Sequence, residues 1–350
     1  MSQLSRLRDE VTLLSGADGP QPSHDHLLVY FIPGNPGHVE YYRQFLVEVR
    51  DALKASGRED VVVHGASHDG FETHGSPTPT APYSLQEVIE STQRKVASKA
   101  RELAGSDTPP TPVRVVLVGH SVGAYILLET VAWWQKQAAE RKSLEIVGGV
   151  CLFPTVVDIA KSSKGKVFSE WLLMIPYLSL IAHFAARLLS WIPLWLWNWP
   201  KSLTPGEKLP EHTAVTEAVL RSPTGARQTV FMAADEMLEI REDRWHPANL
   251  WGVQPPPSKM ETEIHAVASA PRTKLFFYWG EDDYWVDNDV RDRLIAKRAT
   301  RQGDEMTADW PEMLIDKHKM DHCFSLNREH SELVATQVAG WVEKLLPQKE

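Results

Sequence analysis

The sequence predicts an α/β fold: a mostly parallel β-sheet wrapped by helices, with a helical, apolar cap inserted in it. Three observations carry that prediction. Short apolar runs alternate with helix-period segments over residues 26–153 and again over 272–346, the pattern of a sheet built from strand–helix–strand units. The runs are apolar almost throughout rather than alternating, as strands covered on both faces require. Between these two parts, residues 155–270 break the alternation and hold a tryptophan-rich stretch. The expected organisation is therefore a core of residues 1–154 and 271–350, with 155–270 as the cap and its apolar segment at about 168–199.

The elements follow in order. Val11 to Leu14 is a candidate edge strand, followed by a turn-rich stretch from Gly16 to Ser23. His26 to Ile32 is a buried strand that stops at Pro33-Gly34-Asn35-Pro36-Gly37, because proline lacks the N–H a ladder needs. A helix is expected from Val39 to Ser56, with Tyr41, Tyr42, Phe45, Leu46, Val49 and Leu53 on one face. Val61 to Ala66 is the next strand. Ser84 and Glu87 form a capping box that starts a helix running to about Leu103. Strands at 113–118, 146–153, 274–279 and 313–316 complete the sheet.

The most informative stretch is Gly119-His120-Ser121-Val122-Gly123, lying between the strand at 113–118 and an apolar-periodic helix from Val122 to about Trp134. A strand that turns this sharply into a helix needs small residues on both sides of its apex, and the apical residue is held in a strained conformation. The pattern is that of a nucleophile elbow, with Ser121 on the apex and the Val122 amide at the helix N-terminus. A serine hydroxyl is a weak nucleophile until an imidazole takes its proton, and an acid must fix that imidazole's tautomer. His322 follows the last strand, and Gly280-Glu281-Asp282-Asp283 follows the strand before it. Serine, acid, histidine is the chain order of the α/β-hydrolase fold. Asp283 is favoured as the acid; its neighbour Asp282 stays open as the alternative. The stiff 33–37 loop follows an early strand, where this fold places a second oxyanion donor, so the expected pair is the amides of Asn35 and Val122.

Other chemistries have less support. His64, His68 and His74 with Asp69 match no zinc spacing, so no metal is expected. No glycine-rich phosphate loop is present, so no nucleotide cofactor is expected either. Acids outnumber bases, 46 to 37, for a net charge of -9, which argues against nucleic acid as a partner. Only Cys151 and Cys323 occur, which excludes a disulfide framework. Residues 1–10 show no apolar core of a secretory signal.

The uncharged stretches at 171–186 and 188–199 carry Trp171, Trp191, Trp195, Trp197 and Trp199. Each is shorter than the roughly 20 residues a spanning helix needs, and Pro176, Arg187 and Pro193 interrupt them. Tryptophan favours the membrane–water interface, and the flanking Lys161, Lys164, Lys166 and Lys201 favour the cytosolic side. A monotopic contact with a lipid surface, or a lid over the catalytic cleft, fits this composition; the five tryptophans are the expected contact residues.

Taken together, the chain resembles the lipid droplet-associated hydrolase family of serine hydrolases. The matching residues are Phe31 to Gly37 with Tyr41, Tyr42 and Phe45; Ser67-His68-Asp69-Gly70; Gly119 to Tyr125; Gly280 to Trp285; and His322 with Phe324. The resemblance implies an α/β-hydrolase fold and a triad of Ser121, Asp283 and His322. It implies ester hydrolysis, with sterol esters and triacylglycerols as neutral lipid substrates, on lipid droplets and the endoplasmic reticulum. Two other readings are an acyltransferase using the same acyl-enzyme, and a weakly active adaptor on the droplet surface.

Overall fold

The computed structural model describes residues 7–16, 27–73, 82–104, 112–137, 140, 143–189, 210–245, 250–251, 273–301 and 310–346. Among these, seven strands form one sheet: β1 (Glu10–Leu14), β2 (Leu27–Ile32), β3 (Val61–Ala66), β4 (Val113–His120), β5 (Leu144–Leu152), β6 (Lys274–Trp279) and β7 (Glu312–Ile315). Their order is β1-β3-β2-β4-β5-β6-β7. β1 pairs antiparallel with β3 at the edge, and every other pairing is parallel.

Parallel neighbours need crossovers, and helices supply them. α1 (Arg43–Ala55) connects β2 to β3, α2 (Leu85–Ala104) connects β3 to β4, and α3 (Val122–Lys136) connects β4 to β5. The β2 side chains show why the strand is apolar throughout. Leu28, Tyr30 and Ile32 pack into the layer that holds α2 and α3. Leu27, Val29 and Phe31 pack on the other face, with α1 and the C-terminal helix (Arg328–Leu345). The ring of Trp341 on that helix stacks on Phe276 of β6.

The chain passes from β2 out to β3, then back across β2 to β4. Loops leaving the carboxyl ends of β2 and β4 therefore run to opposite faces of the sheet and open a crevice, which is where open α/β sheets bind ligands. The 33–37 loop and Ser121 lie at these two strand ends.

Between β5 and β6 the described residues form α4 (Ser163–Val167), a single π-helical turn (Phe168–Leu172), α5 (Leu178–Leu189), α6 (Pro210–Arg221) and α7 (Gly225–Glu239). After β6 the described residues form α8 (Asn288–Arg298) before β7 and, after it, a 3-10 turn (Phe324–Leu326) and the C-terminal helix, α9. The expected helix at 39–56 opens as a 3-10 turn, Val39–Tyr42, before α1 proper. β5 ends at Leu152 rather than Phe153, because Phe153 takes a positive φ of 43° and turns the chain out of the sheet. The capping box is formed: Ser84 N donates to Glu87 Oε2 at 2.8 Å, and Glu87 N to Ser84 Oγ at 3.3 Å.

A side chain on Gly123 would collide with the carbonyl oxygens of Ile32 and Pro33, and one on Gly119 with the backbone of Gly123. These obstacles are backbone atoms and cannot swing aside. Gly123→Ala is therefore expected to lower the unfolding free energy by about 2 kcal/mol or more, measured by urea denaturation. A change below about 0.5 kcal/mol, ordinary for a surface substitution, would contradict the crossing described.

Candidate active site

Ser121 sits between β4 and α3 with φ 55° and ψ -124°, a region that non-glycine residues enter only when their surroundings force them. Its amide donates to Leu152 O at 3.0 Å, and its carbonyl accepts from Ala124 N at 3.0 Å. The apex is thus pinned to β5 on one side and to α3 on the other. Val122 is the first residue of α3, so its amide has no partner within the helix.

His322 lies 2.9 Å from the Ser121 Oγ through Nε2, and 2.7 Å from Asp283 Oδ2 through Nδ1. A carboxylate accepts only, so Nδ1 carries the proton and Nε2 is left to accept from the serine hydroxyl. Asp283 and His322 are both buried. The other Asp283 oxygen accepts from Trp285 N at 2.8 Å, which aims the carboxylate. Asp282 is exposed and accepts from Asn288 Nδ2 instead. Of the two neighbouring acids, Asp283 is the one that meets the imidazole.

The loops carrying these groups are themselves tied down. Arg291 Nη1 donates to the carbonyls of Gly280 and Glu281, at 2.8 and 2.6 Å. Buried Asp316 accepts from Tyr278 Oη and from the amides of His318 and Met320, which shapes the approach to His322. The expected strand at 313–316 ends one residue early, at Ile315, and frees that acid.

The 33–37 loop lies against the elbow: a Cβ on Gly34 would fall 3.1 Å from Ser121 Cβ. Gly34 N donates to Tyr42 Oη at 3.1 Å, and Tyr42 Oη is 2.8 Å from His120 Nδ1. His120 Nε2 donates to the His322 carbonyl at 2.9 Å. That last partner is a carbonyl, so Nδ1 must accept and Tyr42 must donate to it. A directed hydrogen-bond chain thus joins the loop to the backbone of His322. Burial, reinforced by nearby His322, holds the His120 imidazole well below its usual titration range, as a neutral strut requires.

His68 Nε2 donates to Pro33 O at 2.9 Å, and burial lowers its pKa to about 4. His64 is 2.8 Å from Thr12 Oγ1 and is likewise lowered to about 4 by burial. Asp69 pairs with Lys95. These are tethers, and His74 lies outside the described residues. Among the described residues, no group of three or more His, Cys, Asp and Glu is placed to hold a metal ion.

A cavity of about 470 Å³ opens beside Ser121 and His322. Its walls include Phe168, Val230 and Met237 from the segment between β5 and β6. Asn35 lines it too. Its Nδ2 donates to Thr229 O at 3.0 Å and lies 2.9 Å from Glu236 Oε1. Glu236 is 5% exposed, and burial, opposed by the Asn35 contact, pushes its pKa up to about 8. Nothing in the sequence marked Glu236: no motif contains it, and its partner Asn35 lies 201 positions away. Tyr42 was marked by its place beside the 33–37 loop but not by its bond to His120, 78 positions on.

Trp171 is 73% exposed. Trp191, Trp195, Trp197 and Trp199 lie outside the described residues. Around Trp171 the apolar surface continues through Met174 (78%), Tyr177 (78%) and Phe184 (64%). Among the described residues, no helix is long and apolar enough to cross a membrane.

The model of the lipid-droplet associated hydrolase family matches residues 25–325. The chain belongs to that family. It is a hydrolase with the α/β-hydrolase fold, and the resemblance read from residues 31–45 and 119–125 is borne out. Relatives agree along most of its length. A lipid droplet-associated hydrolase from Gallus gallus is 27% identical over 279 residues, covering 77% of this chain and 73% of the relative. One from Drosophila melanogaster is 25% identical over 327 residues, covering 91% and 89%. Among solved structures, a carboxylesterase from Nitrososphaera gargenis superposes with a TM-score of 0.51 at 14% identity, covering 96% of this chain and 94% of that one. At that identity the likeness speaks for the fold.

The charge state of Glu236 is open to measurement. Its folded pKa, about 8, lies above the ordinary 4.5, so the unfolded chain loses this proton first. Stability attached to the acid is complete below about pH 4.5 and is lost as pH rises toward 8. Glu236→Gln cannot ionise, so the difference in unfolding free energy should move in favour of the variant by about 3 kcal/mol between pH 5 and pH 8. Paired urea titrations read it. A pH-independent difference would show that Glu236 is ionised in the folded protein.

Proposed function

We propose that this hydrolase cleaves carboxylic esters of neutral lipids at a lipid surface, through an acyl-enzyme on Ser121. The observation that carries the reading is the hydrogen-bonded series Ser121–His322–Asp283 opening on an apolar-walled cavity. Ser121 Oγ attacks the ester carbonyl while His322 Nε2 takes its proton. The tetrahedral intermediate collapses, the C–O bond to the alcohol breaks, and His322 returns the proton to the departing alkoxide. Water then attacks the acyl-enzyme with His322 as base, and the fatty acid leaves with Ser121 restored. Asp283 keeps the imidazole in the tautomer both steps need and stabilises the imidazolium.

The negative oxygen of each intermediate falls to the amides of Val122 and Asn35. Within residues 33–36 the choice narrows by elimination. Pro33 and Pro36 have no N–H, and the Gly34 amide is taken by Tyr42. Tethering by Tyr42, His68 and α7 keeps the loop stiff, and donors that do not reorganise stabilise a developing charge best.

The relatives are named lipid droplet-associated hydrolases, and the exposed apolar side chains from Trp171 to Leu188 suit a surface of that kind. In this reading residues 1–154 and 271–350 are the catalytic core, and 155–270 is a cap that covers the cavity and carries the lipid contact. Lipid droplets and the cytosolic face of the endoplasmic reticulum are the proposed location, with sterol esters and triacylglycerols as the neutral lipid pools from which substrate is drawn.

Ser121→Ala should lose at least about 10³-fold in hydrolysis of p-nitrophenyl butyrate and all labelling by a fluorophosphonate probe. Equal labelling of variant and wild type would remove Ser121 as nucleophile. The surface claim is tested separately. Trp171→Glu, Met174→Glu and Phe184→Glu together should weaken binding to triolein emulsion droplets at least about tenfold without loss of fluorophosphonate labelling. Unchanged flotation with the droplets would contradict it.

A further inference from the structure

The cavity beside Ser121 is walled mainly by apolar groups, with a conspicuous polar pair on one wall. Glu236 projects from α7 among Val230, Ala233 and Met237. One carboxyl oxygen is occupied by Asn35 Nδ2; among the described residues the other has no hydrogen-bond partner. The carbonyl of Thr229 fixes which end of the Asn35 amide is nitrogen, and Asn35 Oδ1 is buried and also without a partner. The burial that keeps Glu236 protonated near neutral pH makes it a hydrogen-bond donor without charge. The pair thus offers one donor and one acceptor on one wall of a pocket whose surface is mainly apolar. Unpaired buried polar groups are costly, and a few convergent polar atoms in an apolar cavity are what orient a ligand.

We propose that Glu236, with Asn35, recognises a free hydroxyl on the lipid ester, so that the preferred substrate keeps at least one unesterified hydroxyl, as a partial acylglycerol does. The inference rests on the proposed ester hydrolysis at Ser121 and moves its preferred substrate from the fully esterified sterol esters and triacylglycerols to partially esterified lipids. A hydroxyl accepts from the Glu236 acid proton and donates to Asn35 Oδ1. A fully esterified lipid has only acceptor oxygens and leaves Asn35 Oδ1 unpaired. Glu236 is here a recognition residue.

The test compares 1-monooleoylglycerol with propyl oleate, which has the same acyl chain and no hydroxyl, both in the same non-ionic detergent micelles. For wild type, kcat/KM should favour monooleoylglycerol by about tenfold or more. Glu236→Gln, whose carboxamide still donates, should keep most of that preference, and Glu236→Leu should bring the two esters within about threefold of each other. Fluorophosphonate labelling of Ser121 reports whether each variant retains its site. Equal kcat/KM for the two esters in wild type overturns the inference and leaves ester hydrolysis standing. Hydrolysis of neither overturns both. If Glu236→Leu loses labelling together with activity on both esters, Glu236 acts only by positioning Asn35, and the inference again falls.

Discussion

The arrangement depends on one close crossing, where α3 leaves β4 directly beneath the end of β2. Backbone passes backbone there with no room for a methyl group at Gly119 or Gly123. That proximity forces the positive φ of Ser121, and the hydrogen bonds it donates to Leu152 O and accepts from Ala124 N hold it. Strain of this kind persists only where the surroundings over-determine it. Here the surroundings are the middle of a parallel sheet, with β2 and β5 flanking β4. The same crossing brings the 33–37 loop against Ser121. The sheet's switch point, the strained serine and the candidate oxyanion loop are thus consequences of one packing solution.

Around that centre several of the buried polar groups are neutral. His68, His120 and Glu236 each sit where ionisation is disfavoured by burial, and each makes a hydrogen bond that fixes the 33–37 loop or the backbone of His322. A buried, prearranged surround strengthens electrostatic interactions inside it. The Asn35 side chain receives tethers from both Thr229 and Glu236, which lie some 200 residues away in sequence. A shift of α7 would therefore be felt at the loop, and the segment that lines the cavity also bears on the proposed oxyanion donor.

Much of this was legible from residue patterns because it rests on local rules. Continuous apolar runs gave away strands buried on both faces, the Ser84/Glu87 box gave the start of α2, and two glycines around a serine gave the turn. The order of Ser121, Asp283 and His322 follows the order of the strands that carry them, so topology made it readable. The choice between Asp282 and Asp283 was not readable, since it depends on which way a loop turns after β6, and Arg291 and the Trp285 amide set that. Tyr42 looked like one more residue on an apolar helix face; its hydroxyl matters because of a contact with His120, 78 positions on. Glu236 gave no signal, because its role comes from the cavity that α7 faces and not from its neighbours in the chain.

The central claim is that Ser121 is the nucleophile and that the amides of Val122 and Asn35 receive the oxyanion. A crystal structure of the enzyme inactivated by a long-chain alkyl phosphonate tests both at once. The account predicts phosphorus bonded to Ser121 Oγ, the phosphoryl oxygen about 2.7–3.1 Å from both amides, and the alkyl chain in the cavity between Phe168 and Met237. Phosphorus on another residue, or a phosphoryl oxygen turned away from Asn35 and Val122, would contradict it.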